Sequence, residues 1–152
     1  MKLYQNIIAS LTQKGIDFEL FQHEPVFTSE KASEVVNHAE AEGTKSLALK
    51  TNEGFAIATI SGNERLDFKK IKQLLGVKTL KMCDAESLEK ELGTEIGGLA
   101  PFGYDSGIKL MVSSSLFSQK NIYINPGRND VTIRLKGEDF ASVMLENNAI
   151  IF

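Results

Sequence analysis

Two apolar, β-prone runs, KSLALK at 45–50 and FAIATI at 55–60, are separated by only the four residues TNEG. No helix fits in that gap, so the two runs must pair as an antiparallel hairpin, and Asn52 and Gly54 suit its turn. Elsewhere, strand-like and helix-like stretches alternate, which is the mark of crossover connections. A sheet joined in both ways is mixed. The chain is therefore expected to form one compact α/β domain over residues 1–152, a mixed central β-sheet flanked by helices, with the hairpin strands at its centre.

The remaining elements follow from periodicity and capping residues. Leu3, Ile7, Ile8 and Leu11 recur at helical spacing and Gly15 stops them, giving an amphipathic first helix. FELFQH reads as a strand. Pro25 breaks the chain, and Thr28 or Ser29 can cap a helix carrying Ala32, Val35 and Val36 that exits near Gly43. Asp67 caps a helix with the stripe Phe68, Ile71, Leu74 and Leu75, ended by Gly76. VKTLKM is a strand, Asp84 caps AESLEKELG, and IKLMVS, NIYIN and VTIRL are strands before a closing helix, GEDFASVML.

Composition narrows the function classes. The 152 residues include 42% hydrophobic and 24% charged residues, near the averages of globular proteins. The opening MKLYQNIIASLTQKGIDFEL lacks the unbroken apolar run of a signal peptide, and no window is long enough to span a bilayer. A cytoplasmic location and no membrane partner are expected. Cys83 is the one cysteine, and its place beside a strand end suggests an inert, buried thiol. His23 and His38 are fifteen positions apart, too far to share a helix face as metal ligands, so no metal and no cofactor are expected. The net charge of −3, with acidic and basic residues interleaved, argues against a broad contact with a nucleic-acid backbone. A narrow contact with a nucleic-acid end stays open.

Three loops are candidate sites: SGNER, NPGRND and GGLAPFG. The last packs three glycines and a proline into seven residues. Glycine lets backbone N–H groups approach a ligand closely and proline fixes the path, although a long turn needs the same residues. Lys45 shares its strand face with Leu47 and Leu49. It either snorkels to water beyond the sheet edge or stands as a partly buried ammonium that could hold an anion or a developing oxyanion. Arg128, Asn129 and Asp130 form a polar turn shaped by Pro126 and Gly127, in which Asn129 and Asp130 could equally bond their own backbone. His23, between a strand and a capped helix, suits proton transfer, substrate contact or a structural bond. No serine, cysteine or histidine arrangement offers a nucleophile with an identifiable base.

Five stretches, HEPVFTSEKA, GTKSLALK, RLDFKKIKQLLGVK, GGLAPFG and NPGRNDVTI, in this order and spacing, resemble the YbaK and prolyl-tRNA-synthetase-associated domain family. The resemblance runs from His23 to the final helix. It implies a mixed-sheet α/β fold and an aminoacyl-tRNA deacylase that hydrolyses mischarged tRNA. The family's strand-entry lysine falls on Lys45 and its G-x-x-x-P loop on Gly97 to Pro101. By that resemblance, Lys45, Gly97 and Gly98 are the catalytic candidates, supplying electrostatic stabilisation and positioning, and Pro101 shapes the loop around the 3′-terminal adenosine.

The same likeness gives Ser46, Asn125 and Thr132 as pocket residues, with His23 and Asp130 beside them. The alanine-specific branch carries asparagine and histidine where this chain has Ser46 and Asn125, and the cysteine-removing branch carries serine and an acidic residue at Asn125 and Thr132. This chain departs from both, leaning towards a small or hydroxylated amino acid such as alanine, serine or threonine, with cysteine also open. The implied partner is the acceptor end of an aminoacyl-tRNA, with a synthetase as a further partner and no DNA. Lys69, Lys70 and Lys72 could touch phosphate or simply form a solvated helix face. Two other classes compete: a non-catalytic module that binds an aminoacyl-tRNA end, a nucleotide or a synthetase, and a cysteine- or metal-dependent hydrolase.

Overall fold

The hairpin expected at 45–60 forms the middle of the molecule. In the computed structural model, which describes residues 2–95, 97–105 and 107–152, β2 (Thr44–Thr51) and β3 (Gly54–Ser61) pair antiparallel along their whole length, Lys45 opposite Ile60. Thr51 Oγ1 accepts from the Glu53 N–H at 3.0 Å and donates to the Gly54 carbonyl at 2.9 Å, which fixes the turn. β4 (Leu80–Met82) adds antiparallel to β2, while β5 (Lys109–Val112) adds parallel to β3 and β8 (Ile150–Ile151) parallel to β5. The order β4-β2-β3-β5-β8 is a mixed five-stranded sheet.

β1 (Phe18–Gln22), β7 (Val131–Lys136) and β6 (Asn121–Ile124) leave this sheet and form a second, antiparallel one in the order β1-β7-β6. The expectation of a single sheet is refined here: a strand's pattern states that it pairs, not with which partner. A lone parallel bridge between Gly43 and Tyr123 ties the two sheets together.

Helices fill the space around them. α1 (Lys2–Gln13) buries Leu3, Ile7 and Leu11, and α5 (Gly137–Glu146) buries Phe140, Val143 and Met144. These join one core with Ile57, Val112, Ile122, Ile133 and the buried leucines of α4 (Ala85–Leu92). The opposite face of the larger sheet packs Leu49, Ala56 and Met111 against Ile71 and Leu75 of α3 (Phe68–Leu75). Both α3 and α4 start on aspartate caps, Asp67 to the Lys70 N–H and Asp84 to the Ser87 N–H.

Two helix readings change. α2 (Ser29–Val36) is capped by Thr28, as one of the two expected residues, but it ends at Asn37 in the left-handed region at φ +63°, which asparagine tolerates. A 3-10 turn, Glu40–Glu42, intervenes before Gly43. The buried residue of α2 is Ser33, with Val35 exposed. On α3, Ile71 and Leu75 are inside while Phe68 and Leu74 are exposed: an eight-residue helix buries one narrow stripe, and these two flank it.

Candidate active site

The segment after β1 continues the β1–β7 pairing as far as the start of α2. The His23 N–H donates to the Asp130 carbonyl at 3.0 Å and the Val26 N–H to the Asn129 carbonyl at 2.8 Å. This fastens the α2 entry to the NPGRND turn. The G-x-x-x-P loop then closes against it. Gly97 sits at φ +82°, and a Cβ there would lie 2.6 Å from the Val26 carbonyl oxygen and 3.0 Å from Phe27 Cα. Glycine is required at this position by conformation and by close approach together.

Between these segments and the first residues of β2 lies a cavity of about 500 Å³, in the size range of small-molecule sites. Five of the nine residues singled out from sequence line it: Lys45, Ser46, Gly97, Asn125 and Thr132. His23 stands behind the wall, its Nε2 bonded to Thr132 Oγ1 at 2.9 Å. Gly98, Pro101 and Asp130 do not line the cavity.

Each of those three has a partner that explains its place. The Gly98 N–H donates to the Glu95 carbonyl at 2.9 Å, and the Gly98 carbonyl accepts from Thr94 Oγ1 at 2.8 Å. Pro101 is buried between Ala100 and Phe102, and Tyr104 Oη both accepts from the Ala100 N–H and donates to its carbonyl. Asp130 takes a bidentate pair from Arg128, at 2.9 and 2.8 Å. That hydrogen bonding holds the Asp130 carboxyl below the usual carboxylate range. The Arg128 guanidinium in turn lies 5.3 Å from the Tyr4 ring centroid, so this turn is anchored to α1.

Lys45 lies inside β2 rather than beyond the sheet edge. It is half-buried and, among the described residues, forms no ion pair. Its charge is felt by Glu64: burial pushes that carboxyl up, but hydrogen bonds from Ser115, the Ser61 N–H and Ser113, with Lys45 adding to them, hold it below the ordinary range. Ser46 Oγ shares a 2.8 Å hydrogen bond with Thr59 Oγ1.

Three aromatic walls were not anticipated. His38 stacks on Tyr123 with centroids 4.0 Å apart and planes 8° from parallel, and Phe27 stands on the cavity lining with 61% of its surface exposed. The residues of the stack are 85 positions apart in sequence. The signal present was the alternation in NIYIN, where Ile122 and Ile124 are buried and Tyr123 faces the other way. Cys83 lies outside the lining, and burial pushes its thiol up, which disfavours a thiolate nucleophile. Among the described residues, no group of three His, Cys, Asp or Glu side chains could hold a metal ion.

The cavity thus combines the Lys45 ammonium, which forms no ion pair among the described residues, with a glycine-built wall, hydroxyl and amide side chains, and an aromatic rim. Such a site can bind a polar, partly planar ligand and stabilise a developing oxyanion without a protein nucleophile.

Comparison with known proteins points the same way. The family described as aminoacyl-tRNA editing domain matches residues 23–143. A multifunctional Ser/Thr-tRNA deacylase, ProXp-y, of Escherichia coli (strain K12) is 26% identical over 145 residues, 92% of this chain and 87% of that protein. Proline–tRNA ligase of Thermosipho africanus (strain TCF52B) is 32% identical over 105 residues, 69% of this chain, and this match spans only 18% of the ligase. A crystal structure named as a candidate trans-editing enzyme for prolyl tRNA synthetase superposes with a TM-score of 0.83 at 20% identity, covering 100% of this chain and 96% of that one. That last likeness is one of fold.

Proposed function

Because the chain belongs to the aminoacyl-tRNA editing domain family, we propose that it is an aminoacyl-tRNA deacylase, clearing mischarged tRNA in trans with residues 1–152 acting as one unit. The observation that carries this reading is the position of Lys45: a half-buried ammonium without a carboxylate partner at ion-pair distance among the described residues, lining the same cavity as Gly97.

An aminoacyl ester is already activated, so the site needs a positioned water and a stabilised oxyanion. Water adds to the ester carbonyl carbon, and its proton passes to the neighbouring ribose hydroxyl, which hands its own proton on to the departing ribose oxygen. The tetrahedral oxyanion forms beside Lys45. Its collapse breaks the bond to the ribose oxygen, which leaves protonated, giving free amino acid and tRNA. The Gly98 N–H is already bonded within the loop, so the backbone contribution falls to Gly97, while Gly98 and Pro101 shape the loop and Asp130 shapes the opposing turn. Ser46, Asn125 and Thr132 contact substrate, with His23 holding Thr132.

With a net charge of −3, the protein grips the acceptor end rather than the length of the tRNA. A synthetase partner and a cytoplasmic setting complete the proposal. No helix among the described residues is long and apolar enough to cross a membrane.

The test is release of amino acid from tRNAs charged separately with alanine, serine, threonine, cysteine or proline, comparing the native protein with Lys45→Ala. Fast deacylation of at least one member, reduced about a hundredfold or more in the variant, is expected from loss of an oxyanion-stabilising group. Hydrolysis of none, with tRNA still bound, would replace the deacylase by a binding module.

A further inference from the structure

The net charge of −3 hides an uneven distribution. Residues 65–81 carry six of the 17 basic side chains, Arg65, Lys69, Lys70, Lys72, Lys78 and Lys81, and one of the 20 acidic ones, Asp67. All six cations are exposed, and none forms an ion pair among the described residues. Asp67 is engaged as the α3 cap, accepting from the Lys70 N–H. Glu64, the acid just before this stretch, accepts from the Ser61 N–H and from Ser113 and Ser115.

This arrangement costs the fold stability. No residue three or four positions from Lys69 or Lys72 is acidic, and the two lysines, themselves three apart, share one exposed face of α3 as an unfavourable like-charge pair. α2, α4 and α5 each carry an acid in the first turn, whereas α3 carries none and has Lys69 and Lys70 there instead, at the end of a helix where cations are disfavoured. An external anion relieves both costs.

The placement of α3 says which anion. The Gly62 N–H donates to the Gly43 carbonyl at 2.9 Å, and both glycines line the cavity, so the segment leading into α3 leaves from the cavity wall. Beyond the other end of α3, Asn52 Oδ1 in the β2–β3 turn accepts from the Lys78 N–H at 2.8 Å and the Thr79 N–H at 3.2 Å. The helix therefore runs from the cavity towards the tip of the hairpin. Lys70 occupies another flank, its Nζ 5.9 Å from the Phe152 ring centroid. Arg65, Lys69, Lys72 and Lys78 succeed one another along the path.

We propose that these four side chains form a basic ridge for the phosphates of the acceptor strand immediately upstream of the 3′ end that the cavity holds. A sugar–phosphate backbone repeats its negative charge, which suits a row of exposed cations and requires no reading of bases. The eight residues of α3 span about 12 Å, room for only a few phosphates, so the ridge extends the grip on the acceptor end by a short distance. This rests on the deacylase reading and adds the surface that holds tRNA outside the cavity.

The probe is an uncharged RNA hairpin of acceptor-stem length with a single-stranded 3′ end, its binding read by fluorescence anisotropy at about 50 and 200 mM salt, with no hydrolysis required. Native affinity should fall steeply between the two. Lys69→Gln combined with Lys72→Gln keeps good helix formers and should make that fall roughly fivefold to tenfold smaller, the counterion release of two phosphates. Lys120→Gln, an exposed lysine outside the ridge, should change nothing. The double variant should be no less stable to urea than the native protein, because it loses a like-charge pair. On the preferred aminoacyl-tRNA its KM should rise with kcat unchanged. An unaltered salt dependence in the double variant overturns the ridge while deacylation stands. The expected change in a protein that hydrolyses no aminoacyl-tRNA supports the ridge and removes the deacylase. Unchanged hairpin binding with lost association to a synthetase would give the ridge to an acidic protein surface, and overturns it as an RNA contact.

Discussion

Asn125 donates its side-chain amide to the carbonyl oxygen of Gly97, 28 positions earlier in the chain. With the same side chain accepting two N–H groups of its own turn, this one residue fastens the two loops that face each other across the cavity. Asn125→Ala should cost about 1–3 kcal/mol of stability, the range for stranding buried partners. It should also depress deacylation beyond what the stability loss explains. Urea unfolding beside steady-state kinetics on the intact fraction checks both.

Gly97→Ala tests the close approach. The new methyl meets the Val26 carbonyl, a backbone atom that cannot swing aside, and the residue keeps a φ of +82°. Strain of about 1–3 kcal/mol is expected, relieved by displacement of the loop. The readout is a fall in kcat/KM on the preferred tRNA together with a lower melting temperature.

Phe27→Ala separates binding from folding. The ring is 61% exposed on the cavity rim, so its removal should leave stability within about 0.5 kcal/mol. If the ring stacks on a base of the acceptor end, KM should rise roughly fivefold or more. An unchanged KM would place the nucleoside elsewhere.

Glu64 supplies a pH signature. Its carboxyl is held below the ordinary 4.5 in the folded protein, so its charged form stabilises the fold above that pH, and the stabilisation is lost as pH falls towards the folded value. Glu64→Gln should therefore lower the urea midpoint at neutral pH, with the gap to the native protein closing at about pH 4 and below. A gap independent of pH would mean that hydrogen bonding from Ser113 and Ser115, rather than charge, carries the effect.

Much of this was legible from residue patterns. The hairpin TNEG, the caps Thr28, Asp67 and Asp84, and the parity of Lys45 with Leu47 and Leu49 are local rules, and local rules survive folding. Five of nine site residues meet at one cavity because strand ends and glycine loops converge where a sheet ends. What was not legible is long-range. No pattern in FELFQ states that it pairs with β7 instead of the hairpin sheet, or that His38 will lie on Tyr123. β8 is two residues long, shorter than any periodicity can register. Gly98 and Asp130 carry chemistry that suits a site, but the Gly98 N–H donates to Glu95 and the Asp130 carboxylate accepts from Arg128, pairings that no sequence pattern states.

The pairing of β1 with β7 also sets the order in which this protein can become active. His23 and Thr132 touch across 109 positions, so one wall of the cavity is encoded near the start of the chain and the other near its end. Closing so wide a loop comes late in folding, since its entropic cost precedes any contact that rewards it. An amino-terminal fragment ending before β7 carries every lining residue of the cavity except Thr132 but lacks the strand that pairs with β1, and catalytic competence should be the last property to appear on refolding.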